Sequence, residues 1–135
     1  MVYSDEFSVS TTKGTEFIDI TGNIEAMVRR SGVEEGVVAI FSRHTTTAIR
    51  INENEPRILR DYEEMLDNLV PMGAGYNHDS IDSNAHSHLR SLILGVSEVI
   101  PISNGELSIG TWQSIFFVEL DGPRRRTVSV KVIGE

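Results

Sequence analysis

Two periodicities of apolar and polar positions run along the chain. Alternation with a period of two marks strands over "YSDEFSVST" (3–11) and "EFIDI" (16–20), the second a continuation or partner of the first. Ile24, Met27 and Val28 share a helical face, with Thr21 as the expected N-cap and Gly32 as the stop. "VVAIF" (37–41) is an apolar run that predicts a buried strand, running on into the next segment or bending there. From Pro56, a favourable first helical position, Ile58, Leu59, Tyr62, Met65, Leu66 and Leu69 recur at helical spacing. They predict a helix of about four turns ending near Pro71, with its stripe in the core. Residues 71–83 show no period and read as a long loop. "NAHSHLRSLILG" predicts a short helix capped by Ser83 or Asn84 and stopped by Gly95. Strands follow over "SEVIPI", "ELSIGTW" running towards "SIFFVEL", and "TVSVKVI". Asn104-Gly105 is the hairpin signal between the first two, and "DGP" (121–123) makes the next turn. This order predicts one α+β domain over residues 1–135, largely antiparallel, with about three helices packed outside.

Composition narrows the chemistry. The 135 residues include no cysteine, which excludes disulfides, thiolate metal sites and a cysteine nucleophile. No apolar leader or run of membrane-spanning length is present, so a soluble cytoplasmic protein without a membrane partner is expected. A formal net charge of -8 argues against a nucleic-acid partner. "DGPRRR" (121–126) runs against that average. Three arginines beside a turn read either as a phosphate site or as a solvated strand edge.

Residues 42–54, "SRHTTTAIRINEN", favour an extended strand yet carry many hydrogen-bonding groups. Alternation places Thr45, Thr47, Ile49 and Ile51 on one face and His44, Thr46, Ala48, Arg50 and Asn52 on the other. The second face is either solvent-facing or the floor of a site. His78 in the loop, and His86 and His88 at the following helix, could meet His44 at one point, as metal and phosphate sites require. Asp79 and Asp82 could orient those imidazoles or bind a harder cation. Phosphate-loop, dinucleotide and serine-hydrolase signatures do not occur.

Taken together, "HTTTAIRINEN", "RDYEEMLDNLVP", "YNHD", "NAHSHLRSLILG" and "GTWQ" resemble the YjbQ-like family, whose assigned activity is a secondary thiamine-phosphate synthase. The resemblance extends from about residue 3 to the end. It implies a β-sandwich-like fold, a homotrimer, and a divalent metal on His44, His78 and His88, with His86 a possible fourth ligand. Zinc is the first expectation for that metal, and magnesium could accompany a pyrophosphate substrate. The implied reaction joins hydroxymethylpyrimidine pyrophosphate to thiazole phosphate and releases pyrophosphate. The three histidines then carry the chemistry. Thr46, Arg50, Asn52, Thr111, Trp112, Gln113, Arg124 and Arg126 contact a small phosphorylated heterocycle. Arg124 and Arg126 would grip one phosphate from a shared strand face, and Trp112 is either a stacking surface or core. Two other functions fit the same residues: metal-assisted hydrolysis or transfer on another phosphorylated metabolite, and non-catalytic binding of a metal or metabolite by a trimer.

Overall fold

The computed structural model describes Met1–Glu135. Eight strands form two antiparallel sheets. The strands are β1 (Val2–Ser10), β2 (Glu16–Asp19), β3 (Gly36–Ser42), β4 (Thr47–Asn52), β5 (Ser97–Ser103), β6 (Glu106–Leu107), β7 (Ser114–Glu119) and β8 (Arg125–Gly134). Sheet A has the order β1-β8-β3-β5-β6, and sheet B the order β2-β7-β4. The helices are α1 (Thr21–Ser31), α2 (Pro56–Leu69) and α3 (Ala85–Leu94), with a 3-10 turn at Asn77–Ser80.

Alternation along the strands builds the core. Val38 and Ile40 of β3, Ile100 and Ile102 of β5, and Val128, Val130 and Val132 of β8 face Ile49, Ile115 and Phe117 of sheet B. Ile24, Met27 and Val28 of α1 close the same sixteen-residue cluster. The other face of sheet B carries Ala48, Phe116, Val118 and Leu120, covered by Leu66 of α2. The layers are therefore sheet A, sheet B, then α2 and α3, an α+β sandwich as expected.

Four expectations change. β1 and β2 are neither continuous nor paired, since β1 pairs with β8 in sheet A and β2 with β7 in sheet B. "VVAIF" is buried on one face only, and Phe41 is exposed. Thr21 is the first helical residue rather than the cap. Its hydroxyl donates to Asp19 and accepts the Ile115 N–H at 2.8 Å, tying α1 to β7. The α2 stripe is core only in part: Leu66 is buried and Leu59 packs against the same cluster, while Met65 and Leu69 are 45% and 65% exposed. The start of α2 at Pro56 and the end of α1 at Gly32 are as anticipated. Glu55 caps α2 by accepting the Ile58 N–H at 2.8 Å, and Gly32 ends α1 at φ 72°. Asn104 and Gly105, both at positive φ, turn β5 into β6. That hairpin stops at Leu107, and "SIFFVEL" belongs to the other sheet.

Helix α3 is turned opposite to its composition. It buries Ser87, Arg90 and Ser91 and leaves Leu92 81% and Ile93 64% exposed. Each buried polar group has an acceptor from elsewhere. Ser91 Oγ donates to the Thr47 carbonyl at 2.6 Å, and Arg90 Nε and Nη2 donate to the Val70 carbonyl at 3.0 and 2.8 Å.

Candidate active site

Residues 42–54 are not one strand. Ser42 ends β3 in sheet A and Thr47 begins β4 in sheet B, so residues 43–46 are the connection by which the chain changes sheets. The hydroxyls of Ser42 and Thr47 lie 2.6 Å apart and tie its two ends together. His44 and Thr46 therefore sit on a loop, not on the polar strand face with Arg50 and Asn52. Much of the hydrogen-bonding capacity of this stretch serves that crossing.

Beneath the loop lies a buried ion pair. Glu119, the last residue of β7, is fully buried and Arg126 of β8 is 5% exposed. Arg126 Nε donates to Oε1 of Glu119 at 2.9 Å and Nη2 to Oε2 at 2.6 Å, a forked contact. Nη2 also donates to the Thr46 hydroxyl at 2.8 Å. Thr11 Oγ1 donates to Glu119 Oε1 at 2.8 Å, and the N–H groups of Leu120 and Asp121 donate to Oε2 at 3.1 and 3.0 Å. Burial pushes the Glu119 carboxyl upward. The hydrogen bonds from Arg126, the Asp121 N–H and Thr11, with the Arg126 charge, outweigh it and hold the carboxyl below its usual range. Arg126 Nη1 has no hydrogen-bond partner and is not sealed from solvent.

His44 is fixed from the next residue of β8. The Thr127 N–H donates to His44 Nε2 at 3.0 Å. That bond requires the Nε2 lone pair, so the neutral ring carries its proton on Nδ1. Burial and then the Arg126 guanidinium hold its pKa below the ordinary histidine value. The loop backbone adds donors, because the N–H groups of Thr45 and Thr46 have no partner within the chain.

Two adjoining cavities meet at His88. One, about 510 Å³, is lined by His44, Arg43, Thr45, Ser91 and His88 beside Leu89 and Leu92. The other, about 390 Å³, holds His78, Tyr76 and His88. The His78 and His88 rings stand edge to face with centroids 5.0 Å apart. His86, two residues earlier on the helix, does not join them. Burial and Arg90 lower its pKa, against Asp79 and Asp121, and its Nδ1 is buried without a partner. Asp79 caps α3 through the Ala85 N–H at 3.1 Å.

The expected three-histidine ligand set is not assembled as the side chains lie. No three His, Asp or Glu side chains gather round a common point, and the Nε2 of His44 is occupied by the Thr127 N–H. His78 and His88 supply a pair of nitrogens, one short of the three protein ligands a catalytic zinc takes.

Other expected contacts separate. Arg124 precedes β8 and donates to the Asp121 carbonyl and carboxylate at 2.8 and 2.9 Å, so the paired-arginine grip is not formed. Arg125 reaches Ser8 Oγ at 3.2 Å. Thr111, Trp112 and Gln113 lie just before β7, where Ser114 pairs with Asn52. The other end of that pairing is Glu119 with Thr47, five residues away, which is roughly 17 Å of strand. Trp112 is 74% exposed, not core, and Gln113 Oε1 accepts the Gly110 N–H at 2.8 Å to close its own turn. Arg50 and Asn52 line a different cavity on the helix side of sheet B. Glu119, Thr11 and Thr127 had not been singled out. A lone acid within the apolar "SIFFVEL", seven residues before an arginine, is the signal that could have found the first.

The comparisons agree with this architecture. Residues 5–135 match the family model described as UPF0047 protein YjbQ-like. A UPF0047 protein of Methanothermobacter thermautotrophicus is 50% identical over 134 residues, covering 99% of this chain and 94% of its own. YugU of Bacillus subtilis, also a UPF0047 protein, is 38% identical, covering 93% and 96%. A crystal structure from Sulfolobus solfataricus P2, described as a YbjQ-like protein of unknown function, superposes with a TM-score of 0.98 at 41% identity, covering 100% of this chain and 99% of that one. With the family model spanning nearly its whole length, this chain belongs to the UPF0047 YjbQ-like family.

Proposed function

We propose that the end of the sandwich where the chain crosses between the sheets, with His44 of the crossing, Arg126 of β8 and His88 of α3, handles a small phosphorylated heterocycle, with thiamine-phosphate synthase-type transfer as its reaction. The Thr127 N–H on His44 Nε2 carries this reading. A neutral imidazole with its proton on Nδ1 is a fixed donor, suited to a phosphate oxygen. Arg126 Nη1 and the free N–H groups of Thr45 and Thr46 add donors at the same end. The Glu119 fork holds the guanidinium in place, so little reorganisation is required when charge develops.

In this reaction the bond between the pyrimidine methylene carbon and the diphosphate oxygen breaks. The thiazole nitrogen supplies the electron pair for the new carbon–nitrogen bond. Negative charge accumulates on the departing pyrophosphate, and His44 Nδ1–H, Arg126 Nη1 and the loop N–H groups are the donors to it. His78 and His88 border the space beside it.

The reading extends to a cytoplasmic homotrimer acting on small molecules, without nucleic acid or membrane. No helix is long and apolar enough to cross a bilayer. The outward Leu92 and Ile93 of α3, beside the His44 cavity, support a partner copy at this face. A divalent metal, zinc first or magnesium with pyrophosphate, is proposed on His78 and His88. Metal analysis of the purified protein and of His88→Ala tests it, since equal metal content in both sinks that assignment.

Turnover tests the main reading. The intact protein is expected to form thiamine phosphate from the two purified precursors, and His88→Ala to lose that activity with its fold retained. Absence of product from the intact protein, with pyrophosphate still bound, would replace transfer by a binding role.

A further inference from the structure

Arg50 and Asn52 belong to none of the chemistry above. Both line a separate cavity of about 160 Å³ between the outer face of sheet B and helices α2 and α3. Its aromatic wall is Phe17, Tyr62 and Phe116. The Phe17 and Tyr62 centroids are 5.4 Å apart with the rings tilted by 39°, and Phe17 meets Phe116 edge to face at 5.8 Å. Ile51, Met65, Leu66 and Leu94 complete the apolar lining. Helix α2 buries only Leu66 outright, so Phe17 and Tyr62 stay partly exposed at the cavity while Phe116 is buried behind them.

Size limits the ligand. An apolar cavity of roughly 150 Å³ admits benzene. One six-membered ring fits here, whereas a nucleoside does not.

The polar groups define the rest. The Tyr62 hydroxyl already donates to the Glu53 carbonyl at 3.1 Å. Arg50 donates no side-chain hydrogen bond. Its guanidinium is half exposed, and its ion pair, with Glu98, is 3.7 Å long, beyond hydrogen-bonding distance. An unused fork of N–H donors at the edge of an aromatic-lined cavity matches a carboxylate on a flat ring.

We infer that this cavity binds a monocyclic aromatic carboxylate, with its ring against Phe17, Tyr62 and Phe116 and its carboxylate on Arg50. None of its lining residues borders the histidine cavities, so the inference does not depend on the reaction proposed there. Glu98 offsets part of the Arg50 charge and sets the affinity from the opposite side.

Benzoate is the probe, added to the intact protein while the methyl resonances of Leu66 and Leu94 are followed by NMR. Both are expected to shift saturably. Arg50→Gln should weaken benzoate about tenfold while leaving the neutral ring benzyl alcohol within about twofold. Glu98→Gln should tighten benzoate. The dispersed methyl spectrum reports directly that each variant is folded. Absence of a saturable benzoate shift at Leu66 and Leu94 overturns the site. Equal benzoate affinity in Arg50→Gln overturns the carboxylate assignment.

Discussion

Replacing Arg126 with methionine isolates the buried pair under the His44 loop. The substitution keeps much of the side-chain bulk and removes the guanidinium, leaving the fully buried Glu119 carboxylate with Thr11 and two backbone N–H groups. Removing one partner of a buried pair costs about 3–5 kcal/mol. The three remaining donors favour the lower figure. At about 2.1 cal/mol/K of unfolding entropy per residue, the chain has about 0.28 kcal/mol/K, so ~3 kcal/mol lowers Tm by about 10 °C. Scanning calorimetry at fixed protein concentration reads this, since any assembly makes Tm concentration-dependent. Glu119→Gln alone strands the guanidinium and should also destabilise. The double variant Glu119→Gln/Arg126→Met keeps the acceptor for Thr11 and Asp121 and should recover most of the loss, giving a coupling of about 2 kcal/mol or more. Additive effects, or Arg126→Met within about 0.5 kcal/mol of the parent, would mean that the two buried charges are not energetically coupled.

Three further outcomes follow from the same geometry. A Cβ at Gly122 would stand 2.3 Å from the Lys13 carbonyl and 2.7 Å from Glu119 Cγ, so Gly122→Ala should cost about 1–3 kcal/mol in urea unfolding. His44 has a lowered folded pKa, so the unfolded chain binds more protons than the native one between that value and about 6.5. Its contribution is fully present above about pH 6.5 and is lost as pH falls through the folded pKa; the Glu119 contribution is present above about pH 4.3 and is lost through its own lowered folded value. Stability measured against pH should therefore decline in two stages on acidification, the first reduced in His44→Gln. Leu92→Lys places a charge on the outward face of α3, and sedimentation should show the proposed trimer replaced by a folded monomer. An unchanged sedimentation coefficient would remove this face from the interface.

The elements were legible where local chemistry decides them. Pro56 after Glu55 fixed the start of α2, and Asn104-Gly105 fixed a hairpin, because capping and positive φ are properties of the residues themselves. Pairing was not legible. The alternation of "EFIDI" says which residues face inward and nothing about which strand lies beside it, so its place in sheet B could not be read. The histidine group was visible as a set, and His78 and His88 do meet. His44 was misplaced because threonine and isoleucine propensity runs unbroken through 42–54. The sheet change there is set by long-range contacts, such as that of Thr127 with His44. Helix α3 was opaque for the same reason: burying Ser91 and Arg90 depends on carbonyls at Thr47 and Val70, 44 and 20 residues away.

His44, held by Thr127 beside Arg126, is proposed to present donors to a phosphate group. Titrating pyrophosphate into the protein while following the His44 ring and the Thr127 amide by NMR tests it most directly. Saturable shifts are expected at both, with the Thr127 amide remaining hydrogen-bonded to Nε2 at saturation. Shifts confined to other residues, or none at all, would contradict it.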